Sequence, residues 1–336
     1  KKASTSYSLD YMPNSVHFKK HLATLNSPIR EVLLDKLLFK NAMQKADVPI
    51  PVTIGYAGPN KRSDLNFDLI TPSTIHHILS SHKVTNFFVK PSKGTSGQGI
   101  YLVIYSKGED SPFNIKNQAM NTIEFFEFLT KNCENLDRGF ILFEYKSSSN
   151  DTLKCISPDA SPNIRIITLK LPNGDIHITS ASMRLGRANS ITSNAGSGGL
   201  LASIDIKSGS IVNCRTTIGM QGKFVSEHPD TLFPILGVNI PNWSDVLSTC
   251  IKAASTVESM NSIGWDVLMD KDIPIIIEGN DQWCMISEQL FGHGYLSPQN
   301  RELLMSYGLD FPQRNFPKPS LVNLKLALFG SGANNV

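Results

Sequence analysis

The sequence predicts an α+β fold made of two subdomains, and three observations carry that expectation. Up to Lys146, helical and strand patterns alternate, as in an α/β unit. Beyond it, apolar runs pair across tight turns, which reads as antiparallel hairpins with a helix between them. The chain has 336 residues, enough to bury roughly three quarters of the unfolded surface and to form about two domains.

In the first half, residues 29–46 place Ile29, Val32, Leu33, Leu37, Leu38 and Met43 near helical spacing, so one continuous helix is expected. Pro49 and Pro51 end it, and "VTIGY" reads as a strand. In "TPSTIHHILSSH", Thr71 is placed to cap a helix with Pro72 in its first turn. "NFFVKP" and "GIYLVIYS" read as strands flanking a Gly/Ser/Thr-rich stretch. A helix around "NTIEFFEFLTKN" and a strand "GFILFEYK" complete this half.

In the second half, "NIRIITLKLPNGDIHITSASMRLG" divides into two strands about Asn173-Gly174, one of the better short-range hairpin signals. "ASIDIKSGSIVN" reads as another pair, residues 243–260 as a helix, and "GWDVLMDKDIPIIIEGN" as a final hairpin turning at Asp270 to Asp272. The expected boundaries are a helical or linker region at 1–60, a first subdomain at 61–146, a second at 147–310, and a tail at 311–336. A cleft between the halves is the expected place for a ligand.

Composition excludes several classes. Hydrophobic residues make up 40% and charged residues 18% of the chain, ordinary globular values that argue against bulk disorder. A net charge of +3 with scattered basic residues gives no footprint for nucleic acid. No apolar run approaches the ~18–20 residues of a membrane span, and no signal-peptide pattern opens the chain. Cys133, Cys155, Cys214, Cys250 and Cys284 are dispersed, odd in number and without C-x-x-C spacing. They read as reduced thiols, neither a disulfide frame nor a zinc site, and a cytoplasmic location is expected.

Two stretches carry candidate chemistry. In "FFVKPSKGTSGQGIYLVIY", Lys90 lies late in a strand and a glycine-rich turn follows. That places a cation and several backbone N–H groups around a polyphosphate, and glycine is needed where a side chain would block approach. It is not a Walker loop, because no G-K-[ST] ends it and a strand follows. A mobile hairpin is the plain alternative. Far downstream, Asp266 sits in "IGWDV" while Glu278 and Asn280 sit in "IIIEGN". If these strands pair about the 270–272 turn, two carboxylates and an amide meet at one end of the hairpin, hard ligands suited to Mg²⁺. The alternative is a turn cap and a surface salt bridge, yet a strand as apolar as "IPIIIEGN" is expected to be buried, and a buried carboxylate needs a partner.

Taken in order, "FVKPSKGTSGQGI", "GWDV" and "IEGN" resemble the ATP-grasp fold. "NIRIITL", "MRLGRANSITSNAGSGGLLASIDIKSG", "HPDT" and "GWDVLM…IEGN" are similar, more narrowly, to the sugar-transfer-associated ATP-grasp family. The resemblance covers roughly Asp35 to Asn280. It implies that two subdomains with antiparallel sheets grip a nucleotide in the cleft. By position, Lys90 and Lys36 resemble the phosphate-contacting lysines, although Lys36 also reads as a solvated helix lysine. Ser92, Lys93, Gly94, Thr95, Ser96, Gly97 and Gly99 lie in the loop that folds over the β- and γ-phosphates. Phe143, Glu144, Tyr145 and Lys146 resemble the strand that contacts adenine, and Asn150 or Asp151 is offered for the ribose. Asp266, Glu278 and Asn280 match the magnesium ligands.

Relatives within the superfamily such as D-alanine–D-alanine ligase carry an arginine two residues before the metal aspartate, where this sequence has Gly264. Arg165, Arg184 and Arg187 are the candidates to replace it. Arg165 stands inside "NIRIITL", where an unpaired guanidinium is costly, so a carboxylate or phosphate is expected to face it. A second glycine-rich loop contains Asn194, Gly196, Ser197, Gly198 and Gly199, whose backbone donors suit an acceptor substrate; a flexible connector is the alternative. His228, a histidine before proline in a loop, reads as structural. The resemblance implies an ATP- and Mg²⁺-dependent ligase joining a small or glycan-linked carboxylate to an amine through an acylphosphate. A kinase of the same fold and a non-catalytic nucleotide-binding module are the alternatives.

Overall fold

The computed structural model describes residues 10–58, 60–93, 99–132, 139–144, 150–188, 190, 193, 198–217, 222–291 and 294–311. The chain divides into two units, Glu31–Lys146, and Lys1–Arg30 together with Ser147–Val336.

In the smaller unit, Asp35 interrupts the helix that the spacing of 29–46 predicts, leaving α1 (Glu31–Leu34) and α2 (Lys36–Lys45). Its carboxylate accepts from the N–H groups of Leu37 and Leu38, a cap that competes with continuing the helix. Next come β1 (Thr53–Ala57), α3 (Ile75–Ser81), β2 (Asn86–Pro91), β3 (Tyr101–Tyr105), β4 (Phe113–Ile115), β5 (Gln118–Met120), α4 (Thr122–Lys131) and β6 (Phe140–Glu144). α3 begins later than the expected cap at Thr71, whose carbonyl instead accepts from Thr74 and Ile75. Asn121 and Glu124 form a capping box at the start of α4.

The six strands run in the order β1-β6-β2-β3-β4-β5, and every neighbouring pair is antiparallel. Alternating helix and strand therefore does not produce a parallel sheet, because β6 inserts between β1 and β2. The β4–β5 hairpin has no counterpart in the sequence reading. Its turn residues Lys116 and Asn117 sit at φ 51° and 66°, the left-handed pair a two-residue hairpin turn requires. On one face, Phe87 and Val89 of β2 join Val103, Phe113, Phe125 and Leu129 in the core. Strand alternation therefore sends Phe88 and Lys90 to the other face, where Leu37, Tyr56, Ile141 and Phe143 cluster.

The larger unit is built on β7 (Asn163–Lys170), β8 (Ile176–Leu185), β9 (Leu200–Ile204), β10 (Ile211–Thr216), β11 (Ser262–Asp270) and β12 (Ile273–Asn280). They form a six-stranded sheet in the order β10-β9-β8-β7-β11-β12, antiparallel throughout. The β7–β8 turn falls at Asn173-Gly174 as the sequence predicts, with the Leu171 N–H donating to the Asp175 carbonyl. The helices are α5 (Asp151–Ile156), α6 (Trp243–Thr256), α7 (Met285–Gln289) and α8 (Pro298–Met305). An N-terminal arm belongs to this unit. It is helical in three contiguous pieces, Asn14–Val16, the π-helical His17–Leu22 and Ala23–Leu25. Met12, Leu22 and Leu25 of the arm pack with Ile167, Leu169, Trp283, Tyr295 and Leu304. Among the described residues, no helix is long and apolar enough to cross a membrane.

Candidate active site

The sheet of the larger unit aligns a row of polar side chains across five strands. Opposed residues of antiparallel strands share a face. Glu278 on β12 is opposite Asp266 on β11, and Asp266 is opposite Arg165 on β7. The row continues from Arg165 to Ser182 on β8 and Ser203 on β9. Intervening residues such as Ile164, Ile166, Met183 and Trp265 are fully buried apolar groups. The polar face is thus a consequence of alternation in strands whose other face is core.

Charges in this row are paired. Arg165 Nε donates to Asp266 Oδ1 at 2.6 Å, and both residues are buried. Arg184 Nη1 lies 3.6 Å from the other oxygen of Asp266. Burial is the largest influence and opposes the charge on Arg165, but the carboxylates of Asp266, Glu288 and Glu278 together outweigh it and the guanidinium pKa is raised. Arg184 is shifted downward, first by the like charge of Arg165 and then by burial. Gly264 makes this arrangement possible. A Cβ there would lie 3.0 Å from Arg165 Nη1 and 2.8 Å from the Trp283 Cβ. The Arg165 guanidinium therefore lies against the face of Gly264 that a side chain would otherwise occupy.

Asn280 completes the group. Its Nδ2 donates to the Gly264 carbonyl at 3.3 Å and to Glu278 Oε1 at 3.4 Å, so Oδ1 is the atom that would face a cation. Among the described residues no cluster of three or more His, Cys, Asp or Glu side chains is arranged to hold a metal. The set at hand is two carboxylates and an amide. These donors fit Mg²⁺: all are hard oxygens, and an aspartate already bonded to a guanidinium retains lone pairs for a cation.

Arg187 does not join the row. It makes a two-pronged pair with Asp230, through Nε at 2.7 Å and Nη2 at 2.6 Å. The Ala188 N–H also donates to Asp230, and these hydrogen bonds hold the Asp230 carboxyl well below its usual range. His228 Nε2 lies 2.9 Å from the Gly186 carbonyl, and its Nδ1 meets the N–H groups of Asp230 and Thr231. "HPDT" thus ties down the segment leading into the second glycine-rich loop. Asn194, Gly196 and Ser197 of that loop lie outside the described residues, while Gly198 has φ 86° and Gly199 accepts from Thr217.

In the smaller unit, the N–H of Lys36 donates to the Ser92 carbonyl at 2.8 Å, and Asp35 bridges to Lys93. Lys36, at the start of α2, is therefore brought to the end of β2 that carries Lys90. Lys90 is opposite Ile141, on the face that also holds Phe143, whose ring packs 5.6 Å from that of Phe88. Gly94, Thr95, Ser96, Gly97, Tyr145, Lys146 and the side chain of Glu144 lie outside the described residues. Asn150, offered for the ribose, caps α5 and donates to Asp272 at 3.3 Å.

The description "Sugar-transfer associated ATP-grasp" matches residues 19–302. The chain belongs to this family. Biotin carboxylase from Campylobacter jejuni, solved as a β-γ-ATP complex, shares its fold at 14% identity and a TM-score of 0.50, covering 89% of this chain and 53% of that one. D-Alanine–D-alanine ligase from Coxiella burnetii aligns at 10% identity and a TM-score of 0.42, over 90% of this chain and 60% of that one. The chain thus spans about half the length of the carboxylase. A comparison with curated proteins gives no match.

Two residues of this sugar-transfer-associated ATP-grasp protein stand at the described sites without having been singled out in the sequence. Lys40 is buried, with Nζ 5.5 Å from the centroid of Phe143. Its spacing four residues after Lys36 puts both on one side of α2, a signal available in the sequence. Glu288 on α7 accepts from Ser180 at 2.5 Å and Ser182 at 3.2 Å. Burial pushes its carboxyl upward, against the pull of those hydroxyls and of Arg165 and Arg184. Nothing local in "MISEQ" announces that position.

Proposed function

We propose that this ATP-grasp protein is an ATP-dependent ligase joining a carboxylate to an amine through an acylphosphate. The observation that carries the reading is the row Glu278–Asp266–Arg165, with Asn280 and Arg184 beside it. It combines oxygen atoms suited to a cation with one buried and one half-buried guanidinium group, the parts phosphoryl transfer needs. Family membership supports the nucleotide, and the association of that family with sugar transfer favours sugar acids, amino sugars or glycan-linked substrates.

In this reading Lys36, Lys90 and the backbone from Ser92 to Gly99 bind the β- and γ-phosphates, while Phe143 and the following residues hold adenine. Asp266, Glu278 and Asn280 would hold magnesium, which would supply positive charge against the phosphates. Arg165 and Arg184 take up charge on the phosphoryl group as it passes to the substrate carboxylate, releasing ADP. Backbone donors of Gly198 and Gly199 orient the acyl group. The amine nitrogen attacks its carbon, the carbon–oxygen bond to phosphate breaks, and a proton leaves the nitrogen. No protein nucleophile is required, so positioning and exclusion of water carry the catalysis.

Incubation with Mg-ATP, hydroxylamine and a panel of sugar acids tests this. Hydroxamate formation is expected, and a stable phosphoester in its place would sink the ligase in favour of a kinase. The loop has its own test. Gly99 sits at φ +71°, and a Cβ there would lie 2.9 Å from Pro91 Cγ. Gly99→Val should cost about 1–2 kcal/mol of stability and raise the KM for ATP severalfold in protein that remains folded. Unchanged ATP use would make the loop a hairpin only.

A further inference from the structure

The open end of the β11–β12 hairpin is closed by the N-terminal arm. Gly264 and Asn280 form the last register pair at that end. Just beyond it, one side chain reaches both strands: Asn26 Nδ2 donates to the carbonyls of Ser262 at 2.8 Å and Asp281 at 3.0 Å. Its Oδ1 accepts from the N–H groups of Asn261 at 3.0 Å and Ser262 at 2.8 Å. Asn26 thus uses both its nitrogen and its oxygen as a clip. Arg30 adds a second hold, with Nη2 donating to Asp281 Oδ1 at 3.0 Å and Nε also against that carboxylate. Further along, His17 Nε2 lies 2.9 Å from the Trp283 carbonyl. Gln289 grips the backbone of Met12, accepting from its N–H at 2.6 Å and donating to its carbonyl at 2.9 Å.

We propose that Asn26 and Arg30 are positioning residues for the oxygen ligands on β11 and β12, so that the arm sets the affinity of this site for a divalent cation. The proposal rests on reading Asp266, Glu278 and Asn280 as magnesium ligands. The physical reason is local. Asn280 is the final residue of β12, and a strand end splays unless something beyond it is fixed. Asp281 is fixed twice, at its carbonyl by Asn26 and at its carboxylate by Arg30. Ser262 is fixed by the same Asn26, which sets the spacing between the strand carrying Asp266 and the strand carrying Glu278 and Asn280. A cation site needs its ligands held at one separation, and groups that orient ligands from outside govern affinity nearly as strongly as the ligands do.

The test is calorimetry of ADP binding to the full chain, with MgCl2 titrated from none to saturation. In the parent chain magnesium should tighten ADP binding, and Glu278→Gln should abolish that gain. Arg30→Met and Asn26→Ala should leave magnesium-free ADP affinity unchanged while raising the half-saturating magnesium concentration about tenfold. Asn26→Ala removes four hydrogen bonds and risks unfolding. Arg30, with a side chain 29% exposed, is the safer probe, and near-ultraviolet circular dichroism confirms that each variant is folded. A folded Arg30→Met or Asn26→Ala variant with the parent's magnesium dependence would overturn the proposal and leave the ligand assignment intact. Loss of magnesium-free ADP affinity to the same degree would also overturn it, since that marks a merely structural role. If the parent shows no magnesium effect, or Glu278→Gln preserves it, the ligand assignment itself fails and the proposal falls with it.

Discussion

Replacing Arg165 with methionine is expected to destabilise the larger unit by about 3–5 kcal/mol and to lower turnover by about 10²–10³-fold. Both effects have one source. Asp266 is 4% exposed and its hydrogen-bonded partner is Arg165, with Arg184 at 3.6 Å as the remaining cation. Deleting the guanidinium strands a buried carboxylate, which costs far more than the pair itself contributes. Urea unfolding and ADP release measure the two effects separately. The double variant Arg165→Met/Asp266→Leu should regain part of the lost stability without regaining activity, because the Asp266 carboxylate is no longer left without its hydrogen-bonded guanidinium. By contrast, Arg187→Met removes a surface pair with Asp230 and should cost about 1 kcal/mol or less. An Arg165→Met variant within about 1 kcal/mol of the parent would show that the pair is not the anchor of this row.

The fold was legible where local chemistry decides it. Asn173-Gly174 marks its hairpin and Asn121 with Glu124 marks a helix start, and each acts within a few residues. The helix break at Asp35 was hidden because the apolar spacing runs through it, and only the carboxylate turning back on Leu37 and Leu38 shows it. The candidate site was half legible. A tight turn near Lys271 pairs the two strands, which a sequence can suggest, but a bulge between Asp266 and Val267 shifts the register by one residue and brings Glu278 opposite Asp266. Which arginine joins them is not a local property. Arg165, Arg184 and Arg187 all lie near one strand pair, and only the identity of the strand beside β7 puts Arg165 opposite Asp266 while Arg187 turns to Asp230. Asn26 and Glu288 were illegible for the same reason. Their partners lie more than a hundred residues away, and neither sits in a repeating pattern. The first thirty residues gave no signal because the arm's order depends on a surface supplied by the other end of the chain.

That dependence predicts an acid transition of the arm. His17 and His21 stand four residues apart on the π-helical turn with their Nδ1 atoms 2.9 Å apart. One must therefore donate while the other accepts, so at least one of these nitrogens carries no proton. Phe18, Trp283, Tyr295 and Phe311 surround the pair. Of these Tyr295 is ionisable, and burial pushes its hydroxyl upward so that it stays neutral. Burial lowers His17 from 6.5 to about 4, against the raising effect of its hydrogen bond to Trp283. His21 is lowered well below its usual range by burial and by the neighbouring His17. With the folded value below the unfolded one, the unfolded chain takes up protons first as pH falls. The stabilisation is complete above pH 6.5 and drains away on acidification toward pH 4. For His17 alone, at about 1.4 kcal/mol per unit, the loss amounts to about 3 kcal/mol across that window. Urea unfolding from pH 7.5 to 4 should show this slope in the parent chain. His17→Gln, which retains a donor for the Trp283 carbonyl, should flatten it by roughly that amount while carboxylates elsewhere titrate alike in both proteins. Equal slopes would mean that the histidine pair opens to solvent before the arm detaches, and that proton uptake there costs the fold nothing.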